Sequence, residues 1–533
     1  VTTADTGPGP ATGTPASPGA TATSPPPAGP SRASGAASHG EPGSRPGHDE
    51  PGPRRRRDDR RGWYAVAALT GLVALTWLPR LDAPFGDDHL GRIVGRYALH
   101  LRNVQERGLL GSHFGADWEP YAPLPYAHHP PLLNLLTVLS GLLPGDGEYQ
   151  VWLPPYLLAL LIIPSGAALL RGFGIRWSAV LLALGLMVAT TFYWVYGPLM
   201  IDLGPILALS AGIVRLRRQP EPSRRLVAAT CVAALLSALV SWPGVTLAAL
   251  LGGWLLIARR RLDRVVLLVG VSVLVGVAVS LAFVVAVTGL TLLSDQVELR
   301  SSGSGYTPRQ FLHQQWRYAR GLLPVWYLIA LPLGGLVGLR DRRTRGYLAL
   351  AVAFTAAWIL VLHNGAFIHT YWSYPVLVVG LVGMGVLLDR LAAVPAVAVA
   401  VRRWILALTC AGLAAYLGML VLGPVGQRLV AEPARAGRLV AEHQPPSGQR
   451  YAWVVGSRLN TPRWLAYYWD LQPRLLTRAE LFAATARPDE LVLMDLASRP
   501  AWLPESVAAD AVARDGRYAL VPVAAVRAAV GAR

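Results

Sequence analysis

The sequence predicts an α-helical protein that crosses a membrane many times. Three observations predict it. Of 533 residues, 53% are hydrophobic and only 15% charged, with a mean hydropathy of +0.38, whereas a soluble protein of this size carries a far more polar surface. The apolar residues fall into separate runs, most near the length that a hydrocarbon core of about 30 Å requires. The basic residues gather at the ends of alternate runs, as the positive-inside rule expects; all are Arg, since the chain contains no Lys.

The balance of 49 basic against 31 acidic residues gives a net charge of +18. Charge placed at loop ends, and not along one basic face, speaks against a nucleic-acid partner. Cys231 and Cys410 each sit inside an apolar run, which argues against a disulfide framework or a thiolate metal site.

Residues 1–62 read as a cytoplasmic tail. Up to residue 53 they are dominated by Pro, Gly, Ala, Ser and Thr, too poor in large apolar side chains to offset ordering entropy, so disorder is expected. The tail ends in Arg54 to Arg57 and Arg60 to Arg61, directly before the first apolar run. A basic cluster there, far from the start of the chain, reads as the inner flank of a retained span and not as a cleaved signal peptide.

The transmembrane region, 63–422, contains about eleven spans. They are expected near residues 63–79, 151–170, 178–197, 199–214, 225–241, 244–258, 265–290, 321–340, 346–362, 371–389 and 403–422. Alternate connections carry Arg171 and Arg176; Arg215, Arg217, Arg218, Arg224 and Arg225; Arg259 to Arg261 and Arg264; Arg340, Arg342, Arg343 and Arg345; and Arg390, Arg402 and Arg403. Pro131 to Leu143 is apolar but too short to span, and counting it would put every later Arg cluster outside. It is expected to be interfacial or re-entrant. An odd number of spans places residues 423–533 outside, where short apolar runs such as Tyr451 to Val455 and Leu491 to Met494 alternate with helix-like stretches. That pattern predicts a small extracytoplasmic α/β domain.

The outer loop 80–150 concentrates ionisable groups. Asp87, Asp88 and His89 follow Phe85 and Gly86. Next, Leu90, Ile93, Val94, Tyr97, Leu101 and Val104 form one helical stripe, with Arg92, Arg96, Asn103 and Arg107 on the other side, as in an amphipathic helix on a membrane surface. Its arginines either meet anionic headgroups or grip a lipid-linked phosphate, which guanidinium matches bidentately. Asp87 and Asp88 either cap that helix or act chemically. The loop closes on Tyr126, Ala127, His128, His129, Pro130, Pro131 and Leu132, where the prolines fix an extended lead into the next helix.

An acid pair after the first span, an amphipathic helix, and His-Pro-Pro-Leu opening a short hydrophobic segment resemble the C-type (GT-C) membrane glycosyltransferases of family 39. That family includes protein O-mannosyltransferases and lipid A aminoarabinose transferases. The resemblance implies an inverting-type sugar transferase with a polyprenyl-phosphate donor and a protein, lipid or polysaccharide acceptor on the outer face of a cell membrane. It implies Asp87 as general base, Asp88 as the second acid, and His129 as the basic residue that helps hold the carrier phosphate, with His128 and Tyr126 beside it. The sequence has Asp-Asp where Asp-Glu is commoner, and it lacks an Arg three residues after Asp87, a place Arg92 or Arg96 would have to fill. The chemistry is coherent: a carboxylate deprotonates the acceptor hydroxyl and cations stabilise the departing phosphate.

Other outer-side candidates are Asp202, which either lines the site or marks the start of a span, and His369 with Tyr371. Family members often carry a His-acid-Tyr-Tyr stretch at the latter turn, where this chain has Thr370 in place of the acid. Trp372 and Tyr374 read as interface-belt aromatics, Trp242 to Gly244 as a tight turn, and Leu292 to Arg320 as a mobile cover or linker. Asp87, Asp88, His89, His128 and His129 have the ligand types for a divalent cation, without a fixed metal-binding spacing. Two other classes remain: a transporter or lipid flippase, against which the charges lie on one side and not at the midplane, and a non-catalytic assembly protein.

Overall fold

In a computed structural model the described residues are 53–83, 85, 89–116, 127, 129–145, 147–302, 305–394, 399–423, 439–440, 442–443, 451–455, 467, 471–483 and 486–531. Asp87, Asp88, Tyr126, His128 and most of the expected N-terminal tail lie outside them, as does nearly all of the stretch between residue 424 and the sheet.

Helices occupy the expected apolar runs: α1 (Pro53–Leu81), α4 (Tyr149–Leu160) continued by α5 (Ile162–Gly172), α6 (Trp177–Val188) with α7 (Thr191–Tyr196), α8 (Leu203–Arg218), α9 (Arg224–Val240), α10 (Trp242–Arg259), α11 (Arg264–Val287), α14 (Val325–Arg340), α15 (Arg345–Val361), α17 (Val376–Leu391) and α18 (Val399–Leu422). Four helical stretches among the described residues are long and apolar enough to cross a membrane alone, or up to six if each bent pair is one span. Many of the others are lined by small residues. At Gly334 on α14 and Gly383 on α17 an added Cβ would come within 2.7 and 2.6 Å of the partner's backbone. This close approach is how helices pack where lipid supplies no hydrophobic drive.

Between the spans lie α2 (His89–Gly111), α3 (Leu132–Ser140), α12 (Gly289–Ser301), α13 (Pro308–Leu322) and α16 (His363–Ile368). The nine residues of α3 reach about 13 Å, under half of a bilayer core, in keeping with a non-spanning Pro131 to Leu143. The stretch from Leu292 to Arg320, expected as a cover or linker, is largely helical. Thr307 opens α13 with a reciprocal capping box to Gln310, which satisfies two otherwise orphaned backbone groups. Trp242 to Gly244 is the first turn of α10, capped by Ser241.

The Arg-rich helix ends meet at one end of the bundle. Arg171 donates to Asp59 at 2.7 Å, and Trp177 shares that carboxylate. Arg343 bridges Asp341 and Asp389, each at 3.0 Å, and Asp389 also accepts from the Arg176 backbone.

Near the C-terminus a mixed five-stranded sheet runs in the order β2-β1-β3-β5-β4: β1 (Tyr451–Val455), β2 (Gln472–Leu475), β3 (Leu491–Asp495), β4 (Ala513–Asp515) and β5 (Tyr518–Pro522). The two-residue period of strands sorts its side chains. Ala452, Val454, Leu493 and Leu520 face the apolar cluster shared with the helical bundle. Trp453, Val455, Val492, Met494 and Val521 face a second core, closed by Leu481, Val526 and Val530 from helices Arg478–Phe482 and Val523–Gly531.

Candidate functional site

The site forms at the opposite end of the bundle, where α2, the lead into α3, α12 and the turn after α16 converge. Leu90, Val94, Ala98 and Leu101 of α2 are buried as the apolar stripe requires. The polar side departs from expectation. Asn103 is 0% and His100 1% exposed, so this part of α2 packs on both sides and does not lie with its polar face in water. The amphipathic pattern is present, but Asn103 and His100 on its polar side turn toward the protein. The helix is kinked at Gly108, whose φ of +72° leaves the helical region.

His100, which the sequence reading missed, is bonded through Nδ1 to Oδ1 of Asn134 on α3 at 3.1 Å. With the amide oxygen accepting, Nδ1 carries the proton and Nε2 is left as a bare acceptor. Among the described residues that buried Nε2 has no hydrogen-bond partner. Burial, and then the charge of Arg96, hold His100 down at about 3.

His129 is exposed although protein surrounds it, as for a residue lining a cleft. Burial first, then Arg96 and Arg300, lower it to about 4. It is therefore a neutral imidazole at neutral pH, and the fixed positive charge beside it comes from two arginines. Arg300, near the end of α12, was not singled out in the sequence. Its Nη1 lies 2.7 Å from Nε2 of His369 and its guanidinium lies 5.7 Å from the Trp372 ring. No carboxylate among the described residues pairs with it. His369 stacks on Trp372 and lies 5.8 Å from Tyr371, which in turn stacks on Tyr196. The segment is held from outside by α13, where Gln315 and Tyr318 donate to the carbonyls of Ala366 and Phe367.

Asp202, just before α8, is 2% exposed and accepts hydrogen bonds from Ser241 and Tyr374. It thus ties the starts of α8 and α10 to the turn before α17. Tyr374, expected in an interfacial belt, is instead 7% exposed and pinned to this carboxylate; a buried acid needs donors more than the membrane surface needs another aromatic.

Arg96, His129, Arg300 and His369 thus come together, and Asp202 joins them through Tyr374 and Tyr371. The side chain of Arg92 is outside the described set, as are Asp87, Asp88, His128 and Tyr126. For a divalent cation, the described residues contain no group of three or more ligand-type side chains. His129, the one of the five candidates whose side chain is described, faces two guanidinium charges that repel a cation. What this cluster offers is an anion site: fixed charges in partly desolvated surroundings, where electrostatic attraction is strengthened.

No family model and no curated relative matches the sequence. The structure is similar to the crystal structure of ArnT from Cupriavidus metallidurans bound to undecaprenyl phosphate, with a TM-score of 0.54 and 19% identity, covering 87% of this chain and 98% of that one. The apo state of the same protein gives 0.52 and 19%, covering 88% and 99%. The GT-C fold implied by the sequence is the fold of this chain.

Proposed function

We propose that the chain is a membrane glycosyltransferase that moves a sugar from a polyprenyl-phosphate donor to an acceptor hydroxyl at the outer face. The observation that carries this reading is the convergence of Arg96, Arg300 and neutral His129 in a fold shared with a protein solved with undecaprenyl phosphate. An anionic lipid carrier has its phosphate at the membrane boundary, and a cationic cleft between outer-end helices suits that headgroup.

In this reading the acceptor oxygen attacks the anomeric carbon, the bond from that carbon to the phosphate oxygen breaks, and polyprenyl phosphate departs. Arg96 and Arg300 take up the developing negative charge, and His129, uncharged at neutral pH, contributes a hydrogen bond. Asp87, two positions before α2 begins, removes the acceptor proton, and Asp88 orients the acceptor. His369 positions Arg300 through its Nε2. Asp202 and Tyr374 set the turn that carries His369 and Tyr371. About eleven spans, a cytoplasmic N-terminus and an extracytoplasmic C-terminal sheet complete the topology, supported by the gathering of Arg-rich helix ends away from the site.

Purified protein incubated with labelled polyprenyl-phosphate sugars tests the reading. Release of unglycosylated polyprenyl phosphate is the expected result. Movement of intact donor between leaflets, with no bond broken, would mean a transporter instead.

A further inference from the structure

Helix α13 leads into α14 at a sharp corner. It ends at Leu322 and the chain turns through Leu323 and Pro324 into α14, the two helices being bent by 112°. The residue before a proline is pushed to an extended conformation, which makes the corner. The first residue of α14, Val325, is 72% exposed and begins a stripe with Ile329, Leu333 and Leu336, each more than half exposed. That stripe marks the lipid-facing side of a span from its first turn. With α14 crossing the bilayer, α13 lies close to the membrane plane at the level of the site.

The exposed side chains of α13 suit that position. Phe311, Gln314, Gln315, Tyr318 and Leu322 turn inward, leaving Leu312 at 67% and Trp316 at 54% exposure beside Arg309, His313, Arg317 and Arg320. No Asp or Glu occurs between Pro308 and Leu322. An apolar pair at a spacing of four, flanked by arginines with no acid among them, is the pattern of an interfacial helix that prefers anionic lipid. We infer that α13 is a docking surface for the anionic phospholipid headgroups of the leaflet next to the site, with Leu312 and Trp316 inserted at the headgroup boundary. Its bonds to the backbone of Ala366 and Phe367 link this lipid contact to the turn that holds His369. The inference does not depend on the transferase reading.

The test uses the full chain with Cys231→Ser and Cys410→Ser, carrying a bimane label at Trp316→Cys or, as an independent position, Leu312→Cys. The protein is reconstituted in phosphatidylcholine vesicles containing equal amounts of either brominated phosphatidylglycerol or brominated phosphatidylcholine. Both lipids are expected to quench the label, phosphatidylglycerol more strongly. Replacing Arg309, Arg317 and Arg320 by Gln should lower the phosphatidylglycerol preference about fivefold or more. A label at Val512→Cys, exposed just before β4, should stay unquenched. Absence of quenching at 312 and 316, or equal quenching by the two lipids in the protein with its arginines intact, overturns the inference.

Discussion

Arg300 reaches His369 across 2.7 Å, from Nη1 to Nε2. A guanidinium has only protons to give, so Nε2 must accept and the His369 proton resides on Nδ1. The pair joins α12 to the turn after α16 and aims the Arg300 charge toward His129. Removing the charge should cost more than removing its support. Arg300→Gln is expected to weaken binding of undecaprenyl phosphate about 10- to 100-fold, the range of one charge-assisted contact. His369→Ala should cost less, and Arg300→Lys should not restore full affinity because the planar fork is lost. Titration of the solubilised protein with the lipid measures all three.

The buried imidazole of His100 predicts acid sensitivity. It is 1% exposed and held at about 3, against an ordinary value of 6.5. Below about pH 6.5 the unfolded chain takes up this proton while the folded chain refuses it until the lowered value is reached. Stability is therefore fully present above about pH 6.5 and falls progressively as the pH drops toward 3. The thermal midpoint should decline across that window, and H100Q should flatten the decline. A midpoint independent of pH in the parent protein contradicts the assignment.

The Gly334 and Gly383 contact predicts intolerance of bulk. With the opposing backbone within 2.7 Å of an added Cβ, Gly383→Leu must force α14 and α17 apart, at a cost of about 1–3 kcal/mol or more. The expected result is reduced yield of monodisperse protein and a lower thermal midpoint. Gly253→Leu, at an exposed position of α10 where nothing lies within 4 Å of the added Cβ, serves as the neutral comparison.

Tyr374→Phe leaves the buried Asp202 carboxylate with one side-chain donor, Ser241, in place of two. Loss of such a bond costs about 1–3 kcal/mol. Thermal unfolding should report the loss, and Ser241→Ala should behave similarly.

Much of the fold was legible because a bilayer imposes strong rules. Run length and Arg placement located the apolar helices and kept Pro131 to Leu143 from being read as a span, and short apolar runs located two of the five strands, β1 and β3. The site was only half legible. Asn103 and His100 were misread or missed because an amphipathic pattern separates two faces without saying what covers the polar one. Arg300 was hidden in a stretch with no helical signal of its own. Tyr374 looked like a belt aromatic because Asp202 is 172 positions away along the chain, a partnership no local pattern reveals.

The central claim, an outer-face transferase with Asp87 as base, is tested most directly by Asp87→Asn. The purified variant and its parent are compared for release of polyprenyl phosphate from labelled donor, alongside binding of undecaprenyl phosphate. The account predicts a fall in turnover of about 10²-fold or more, with lipid binding and thermal midpoint unchanged. Turnover equal to that of the parent would contradict it.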